Sequence, residues 1–137
     1  MNEGLYLSNS SGNTITLNIS KYNEIVGYQL EDSSAYNVLI TNQSLNNNQQ
    51  GFYFTTYPHH NAISGNISSY NSTAGFYFYE VYNNTVSGNT SSYNTQSGYR
   101  FEYTSNNILA NNAAIGNGQH GVYLFDYAIN NTVSNNI

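Results

Sequence analysis

The residues able to do acid–base chemistry are few. The acids are Glu3, Glu24, Glu31, Asp32, Glu80, Glu102 and Asp126, the fixed cations are Lys21 and Arg100, and the imidazoles are His59, His60 and His120. Carboxylates beside a cation are the equipment of polysaccharide hydrolases and lyases, in which one group moves a proton and another stabilises charge. Arg100 stands two residues before Glu102, and Glu80, Glu102 and Asp126 recur at a spacing that stacked chain turns would bring to successive layers. These four are the candidate catalytic group, against an ordinary reading as a solvated ion pair on a regular strand. Copper chemistry needs several His or Met around one point. His59 and His60 are adjacent, His120 is distant, and the sole Met is Met1, so no metal or other cofactor is expected. With no Cys, disulfides and thiol nucleophiles are excluded.

Composition narrows the partners. Two basic residues cannot neutralise a phosphate backbone, which excludes nucleic acid, and they cannot form a polybasic membrane patch. No apolar run is long enough to span a membrane, and no basic-then-apolar signal segment opens the chain. Charged residues are 7% and aromatics 15% of the chain, an aromatic share that argues against disorder.

The chain is a repeat. Gly-apolar-x-apolar recurs at Gly4, Gly27, Gly51, Gly75, Gly98 and Gly121, with intervals of 23 or 24 residues. Between these glycines runs Asn-x4-Asn-x4-Asn. The first position is Asn13, Asn37, Asn61, Asn84, Asn107 and Asn131; the second is Asn18, Asn42, Asn66, Asn89, Asn112 and Asn136; the third is Asn23, Asn47, Asn71, Asn94 and Asn117. All length variation falls between the Gly strand and the first Asn, so one loop absorbs it. Short period-two strands with a polar corner after each predict an all-β parallel β-helix of six coils, a single domain over residues 1–137. The Asn columns are expected to ladder through their amides and to occupy the φ > 0 corner positions.

The repeat sorts side chains into columns. Leu5, Tyr28, Phe52, Phe76, Tyr99 and Val122 face inward with Leu7, Leu30, Phe54, Phe78, Phe101 and Leu124, and Ile15, Leu39, Ile63, Val86, Leu109 and Val133 form a third inward column. Ser20, Ser44, Ser68, Ser91 and Ala114 form a small-residue column. Outward on the Gly strand stand Tyr6, Gln29, Tyr53, Tyr77, Arg100 and Tyr123, beside Ser8, Glu31, Thr55, Tyr79, Glu102 and Phe125. Tyr53, Tyr77, Tyr79, Arg100, Tyr123 and Phe125 are the candidate binding face, since a Tyr ring offers an apolar surface with a polar tip and Arg adds cation–π contact. Cross-coil Tyr stacking that merely stabilises the sheet is the competing reading. Of the Asn-x-Ser/Thr sequons, Asn71, Asn83 and Asn130 are the candidate glycosylation acceptors, because Asn18, Asn42, Asn66 and Asn89 lie in a ladder.

Segments such as Asn84-Thr85-Val86-Ser87-Gly88-Asn89-Thr90 and Gly4-Leu5-Tyr6-Leu7-Ser8-Asn9-Ser10-Ser11 resemble the short repeats of right-handed parallel β-helix proteins, and the closest subtype is the NosD-like repeat of envelope and secreted proteins. The resemblance covers all six coils and implies a right-handed β-helix. Such repeats occur in copper-site maturation proteins, polysaccharide lyases, epimerases and large surface proteins, so it does not choose an activity. The catalytic motifs usual on this fold, adjacent aspartates or an Asp-Pro-His-Asp segment, are absent.

The expectation drawn from the sequence is a non-catalytic extracellular or cell-surface β-solenoid with a structural or adhesive role. No helix, charged strand or proline-rich cover stands beside the first or last coil, so copies of the chain are expected to pair head to tail into fibres. The alternative is a carbohydrate-binding or polysaccharide-cleaving module using the outward Tyr-rich face, with glycans as partners.

Overall fold

The computed structural model of the chain describes residues 3–137, which contain strands, turns and bends and no helix. Three parallel sheets run the length of the solenoid. The first comprises Leu5–Ser8, Tyr28–Glu31, Phe52–Thr55, Phe76–Tyr79, Tyr99–Glu102 and Val122–Phe125. The second comprises Thr14–Thr16, Val38–Ile40, Ala62–Ser64, Thr85–Ser87, Ile108–Ala110 and Thr132–Ser134. The third comprises Ile19–Lys21, Gln43–Leu45, Ile67–Ser69, Thr90–Ser92 and Ala113–Ile115. Register is one coil to the next without slip: Leu5 pairs Tyr28, Tyr28 pairs Phe52, Phe52 pairs Phe76, and the column continues through Tyr99 to Val122.

Each side chain therefore packs on its own kind. Rings stack at 4.6 Å between Tyr28 and Phe52, 4.7 Å between Phe52 and Phe76, and 5.0 Å between Phe76 and Tyr99. Phe54, Phe78 and Phe101 repeat this at 4.7 and 4.6 Å. These spacings follow the distance between paired strands, and each aromatic pair adds about 0.5–1.5 kcal/mol beyond its burial.

The recurring glycine is explained by a close approach. Ser44 Oγ donates to the Gly51 carbonyl at 2.8 Å, and Ser20, Ser68 and Ser91 do the same to Gly27, Gly75 and Gly98. A Cβ on Gly51 would lie 1.9 Å from Ser68 Oγ and 2.8 Å from the Gly75 carbonyl oxygen. The small-residue column and the glycine column are two sides of one contact.

The Asn ladders form as expected, but not for the backbone reason. The residue before each ladder Asn, not the Asn itself, takes the positive φ. Leu17 (58°), Tyr22 (58°), Thr41 (54°) and Tyr93 (54°) do so, as do Gly12, Gly65, Gly88 and Gly116. A left-handed residue with a Cβ costs about 1–2 kcal/mol, and the following amide offsets it. Asn66 donates its N–H and Nδ2–H to Asn89 Oδ1 at 2.9 and 3.0 Å, and its second Nδ2–H to the Leu39 carbonyl at 2.9 Å. Its own Oδ1 accepts from Asn42 N and Nδ2 at 2.9 and 3.1 Å. The ladder Asn is selected for hydrogen-bonding capacity, which it fills.

The length variation also has a structural form. In the three coils with one extra residue before the first ladder Asn, the corner holds two consecutive left-handed residues: Asp32-Ser33, Thr56-Tyr57 and Asp126-Tyr127. The shorter corners use one: Asn9, Glu80 or Tyr103.

One candidate modification site is corrected. Asn71 is 1% exposed and sits in the third ladder, donating to Asn94 Oδ1 at 2.9 Å. Its amide is closed to glycosylation because every polar atom is engaged by the adjoining coils. Asn83 and Asn130 are exposed at left-handed corner positions.

Candidate functional site

The outward face of the first sheet gathers the unusual side chains. Pairing sets Tyr53 beside Tyr77, Tyr77 beside Arg100, and Arg100 beside Tyr123, with Tyr79, Glu102 and Phe125 in the next column. Arg100 is the centre. Its guanidinium lies 4.7 Å from the Tyr77 ring centroid on one side and 4.7 Å from that of Phe125 on the other. Its Nη2 donates to Glu102 Oε2 at 3.0 Å, with the two side chains 30% and 14% exposed. The Tyr77 hydroxyl donates to the same Glu102 oxygen. Burial, and then this bond to a carboxylate, push the Tyr77 phenol well above its ordinary range.

Rings extend the site along the axis on one side and along the last coil on the other. Tyr53 stacks on Tyr77 at 5.2 Å, Tyr123 on Phe125 at 4.5 Å, and His120 on Tyr123 at 4.5 Å. The result is a continuous run of planar groups, Tyr53, Tyr77, Arg100, Phe125, Tyr123 and His120, across coils three to six. At the adjoining corner Tyr79 meets Tyr103 edge to face at 5.7 Å, and Tyr103 stacks on Tyr127 at 5.8 Å.

A second, similar arrangement lies on the first two coils. The Tyr6 hydroxyl donates to Glu31, and Gln29 Nε2 donates to Glu31 Oε2 at 2.6 Å. Here Gln29 occupies the place that Arg100 holds beside Glu102. Nearby, Ser8 Oγ donates to Asp32 Oδ2 at 2.7 Å.

The expected catalytic group is thus divided. Arg100 and Glu102 meet, whereas Glu80 and Asp126 lie in the corner column at φ 54° and 42°; Glu80 is joined to Glu102 through its backbone N–H, which donates to the Glu102 carbonyl at 3.1 Å, while the ion pair of Arg100 is with the Glu102 carboxylate. The corner takes them out of the strand's outward alternation. The six expected binding residues share the face. His120, Tyr103 and Tyr127 extend it; from sequence, His120 is weighed only as a metal ligand and the two tyrosines are not singled out. Their signal was positional: His120 precedes a repeat glycine, and Tyr103 and Tyr127 fall in the corner that absorbs the length change.

Comparison with known proteins adds the following. The family model described as periplasmic copper-binding protein (NosD) matches residues 1–80 and again 54–137. No curated protein matches the chain. A crystal structure of the periplasmic alginate epimerase AlgG matches at a TM-score of 0.82 and 27% identity, covering 88% of this chain and 30% of that one. A point mutant of the same enzyme matches at a TM-score of 0.84 and 27% identity, covering 89% and 29%. The chain therefore spans under a third of those epimerases. The A-module of an Azotobacter vinelandii mannuronan C-5 epimerase, at 14% identity and a TM-score of 0.59 over 98% of this chain and 54% of that one, shares the fold.

These neighbours correct the expectation of a non-catalytic protein: the structures that the chain matches are enzymes. That expectation rested on missing contiguous aspartate motifs. A β-helix gathers distant residues into one column with no contiguous motif at all, as Tyr77, Arg100 and Phe125 show here. The copper in the family description does not fit these residues. Among the described residues no three His, Cys, Asp or Glu converge, and the His59 and His60 Nδ1 atoms, 2.8 Å apart, are spent on each other.

Proposed function

The chain belongs to the NosD family, and on that premise we propose that it is a polysaccharide-engaging segment of a carbohydrate-acting envelope-side protein, binding on the outward face of the first sheet. One observation carries the reading: the unbroken run of rings and guanidinium from Tyr53 to His120 on the solvent side of a sheet whose interior is already filled. Interior packing has no need of it. The rungs are about 4.8 Å apart, so an extended polysaccharide lying along the axis meets a fresh aromatic or polar group at each step. Sugar C–H faces pack on exposed aromatic surface, and sugar hydroxyls meet phenol, amide and carboxylate groups.

Support comes from the alginate epimerases, which match over 88–89% of the chain, and from the periplasmic description shared by the family and these neighbours. Tyr77, Arg100, Tyr123 and Phe125 form the binding surface, and Glu102 orients Arg100 and Tyr77. Glu102 with Arg100 is also the pair best placed for proton transfer or charge stabilisation on a bound sugar.

The test is affinity electrophoresis and array binding against a polysaccharide panel, with release of reducing or unsaturated ends measured in parallel. Binding that is lost in Tyr77→Ala and in Tyr123→Ala, while each variant keeps its β-sheet circular dichroism and a cooperative unfolding transition above the assay temperature, is the expected result. Binding indifferent to both substitutions removes the face from consideration.

A further inference from the structure

Resting on that reading of the face, we infer that the glycan it accepts is uncharged, a neutral hexose polymer and not a polyuronate. The argument is one of charge complementarity. The strand columns and adjoining corner of the first sheet carry Glu31, Asp32, Glu80, Glu102 and Asp126 against the single cation Arg100. The only other fixed cation, Lys21, ends a strand of the third sheet and lies 5.7 Å from the Tyr22 ring centroid. The whole chain has a net charge of −5 with histidines neutral.

Arg100 is already paired with one carboxylate, and its Nε, which has no partner, is buried. Glu102 compensates its charge at 3.0 Å, and the rings of Tyr77 and Phe125 cover both faces of the guanidinium. A polyuronate brings one carboxylate with every sugar. Laid along the axis, each would lose hydration beside a surface already acidic, and the one cation there is already charge-compensated by Glu102. Removing a proton next to a uronate carboxylate also requires that carboxylate to be neutralised, and no described side chain on this face is placed to do so.

For a neutral sugar the same groups change role. Glu31 and Glu102 become strong acceptors for sugar hydroxyls, Gln29 offers an amide, and the rings need only C–H surface. Alginate is a polyuronate, so the chain shares a scaffold with the alginate epimerases while its face is built for a different charge class.

The experiment uses a matched pair: mannuronate oligosaccharides, and the same oligosaccharides after carboxyl reduction, titrated calorimetrically at low salt alongside neutral glucan, mannan and galactan oligomers. We expect a neutral oligomer to bind at least about tenfold more tightly than the mannuronate, a difference of about 1.4 kcal/mol. Glu102→Gln, which leaves Arg100 uncompensated, narrows that gap by strengthening mannuronate binding. Mannuronate bound as tightly as any neutral oligomer, weakening with salt and lost in Tyr77→Ala or Tyr123→Ala, would overturn the charge assignment and leave the face intact. If no oligomer of either class binds, the face reading fails and the inference falls with it.

Discussion

The strands Tyr28–Glu31 and Tyr99–Glu102 share the pattern Tyr-x-apolar-Glu and do different things with it. In both, the glutamate accepts a phenol from the preceding coil, Tyr6 for Glu31 and Tyr77 for Glu102. In the first the intervening outward residue is Gln29, which leaves the carboxylate uncompensated. In the second it is Arg100, which neutralises the carboxylate and is itself held between two rings. The phenol–carboxylate link is therefore what the register produces wherever Tyr and Glu fall in these columns. The cation and its aromatic sandwich are an addition. The inward tyrosines differ too: the Tyr99 hydroxyl donates to the Asn89 carbonyl at 2.9 Å, whereas that of Tyr28 has no partner among the described residues.

Damage to the scaffold common to both strands should erase the comparison. Asn66→Ala removes a buried amide and orphans the Asn42 N–H and Nδ2–H groups and part of Asn89 Oδ1. We expect a loss of about 3–5 kcal/mol, since each orphaned buried group costs about 1–3 kcal/mol. Chemical denaturation measures it, and a loss below about 1 kcal/mol would show the ladder to be ornamental.

Exchanging the distinguishing residue tests the comparison directly. Arg100→Gln should cost about 1–2 kcal/mol through the lost ion pair and cation–π contacts, while Gln29→Arg should stabilise by up to about 1 kcal/mol by pairing Glu31. Equal and small effects of both exchanges would mean that the sandwich does not hold Arg100.

The inward pair should separate more finely. Tyr99→Phe loses a satisfied hydrogen bond and should cost about 1 kcal/mol, whereas Tyr28→Phe discards an unpartnered hydroxyl and should be neutral or slightly stabilising at pH 7. Alkali reveals what Tyr28 contributes. Burial pushes its phenol from 10 up to about 12. Between those values the unfolded chain has released this proton and the folded chain retains it, so stability falls as pH rises from 10 toward 12. Denaturation midpoints at pH 9 and 11 should show this decline, and Tyr28→Phe should lessen it.

Much of this was legible in the sequence because translation along the axis forces like residues into contact. The glycine spacing located the strands, and seventeen Asn positions located three ladders that all form. Other features were hidden by locality. Several left-handed corners are filled not by Gly or Asn but by Leu17, Tyr22, Thr41 and Tyr93, residues that give no turn signal; the amide that follows makes them tolerable. The reason for the repeat glycine lies in a serine sixteen or seventeen residues further along the same repeat, a contact that no short motif displays. Asn71 passed as a free sequon although the same spacing placed it in a buried ladder. The outward columns were read correctly, but Glu80 and Asp126 were grouped with Glu102 before the corner geometry that separates them was known.

The Asn ladders have one more consequence. Beyond the first rung of each ladder, every Oδ1 accepts from the coil before, as Asn37 does from Asn13 and Asn89 does from Asn66, so these amide carbonyls point the same way. Amide dipoles of about 3.5 D each, aligned in three parallel files, add instead of cancelling. The solenoid is consequently a vector, with a permanent polarity written in side chains and not in a helix. A coil gained by duplication fits only in the parent orientation. A polysaccharide also has unlike reducing and non-reducing termini, so its two directions along this axis are not equivalent.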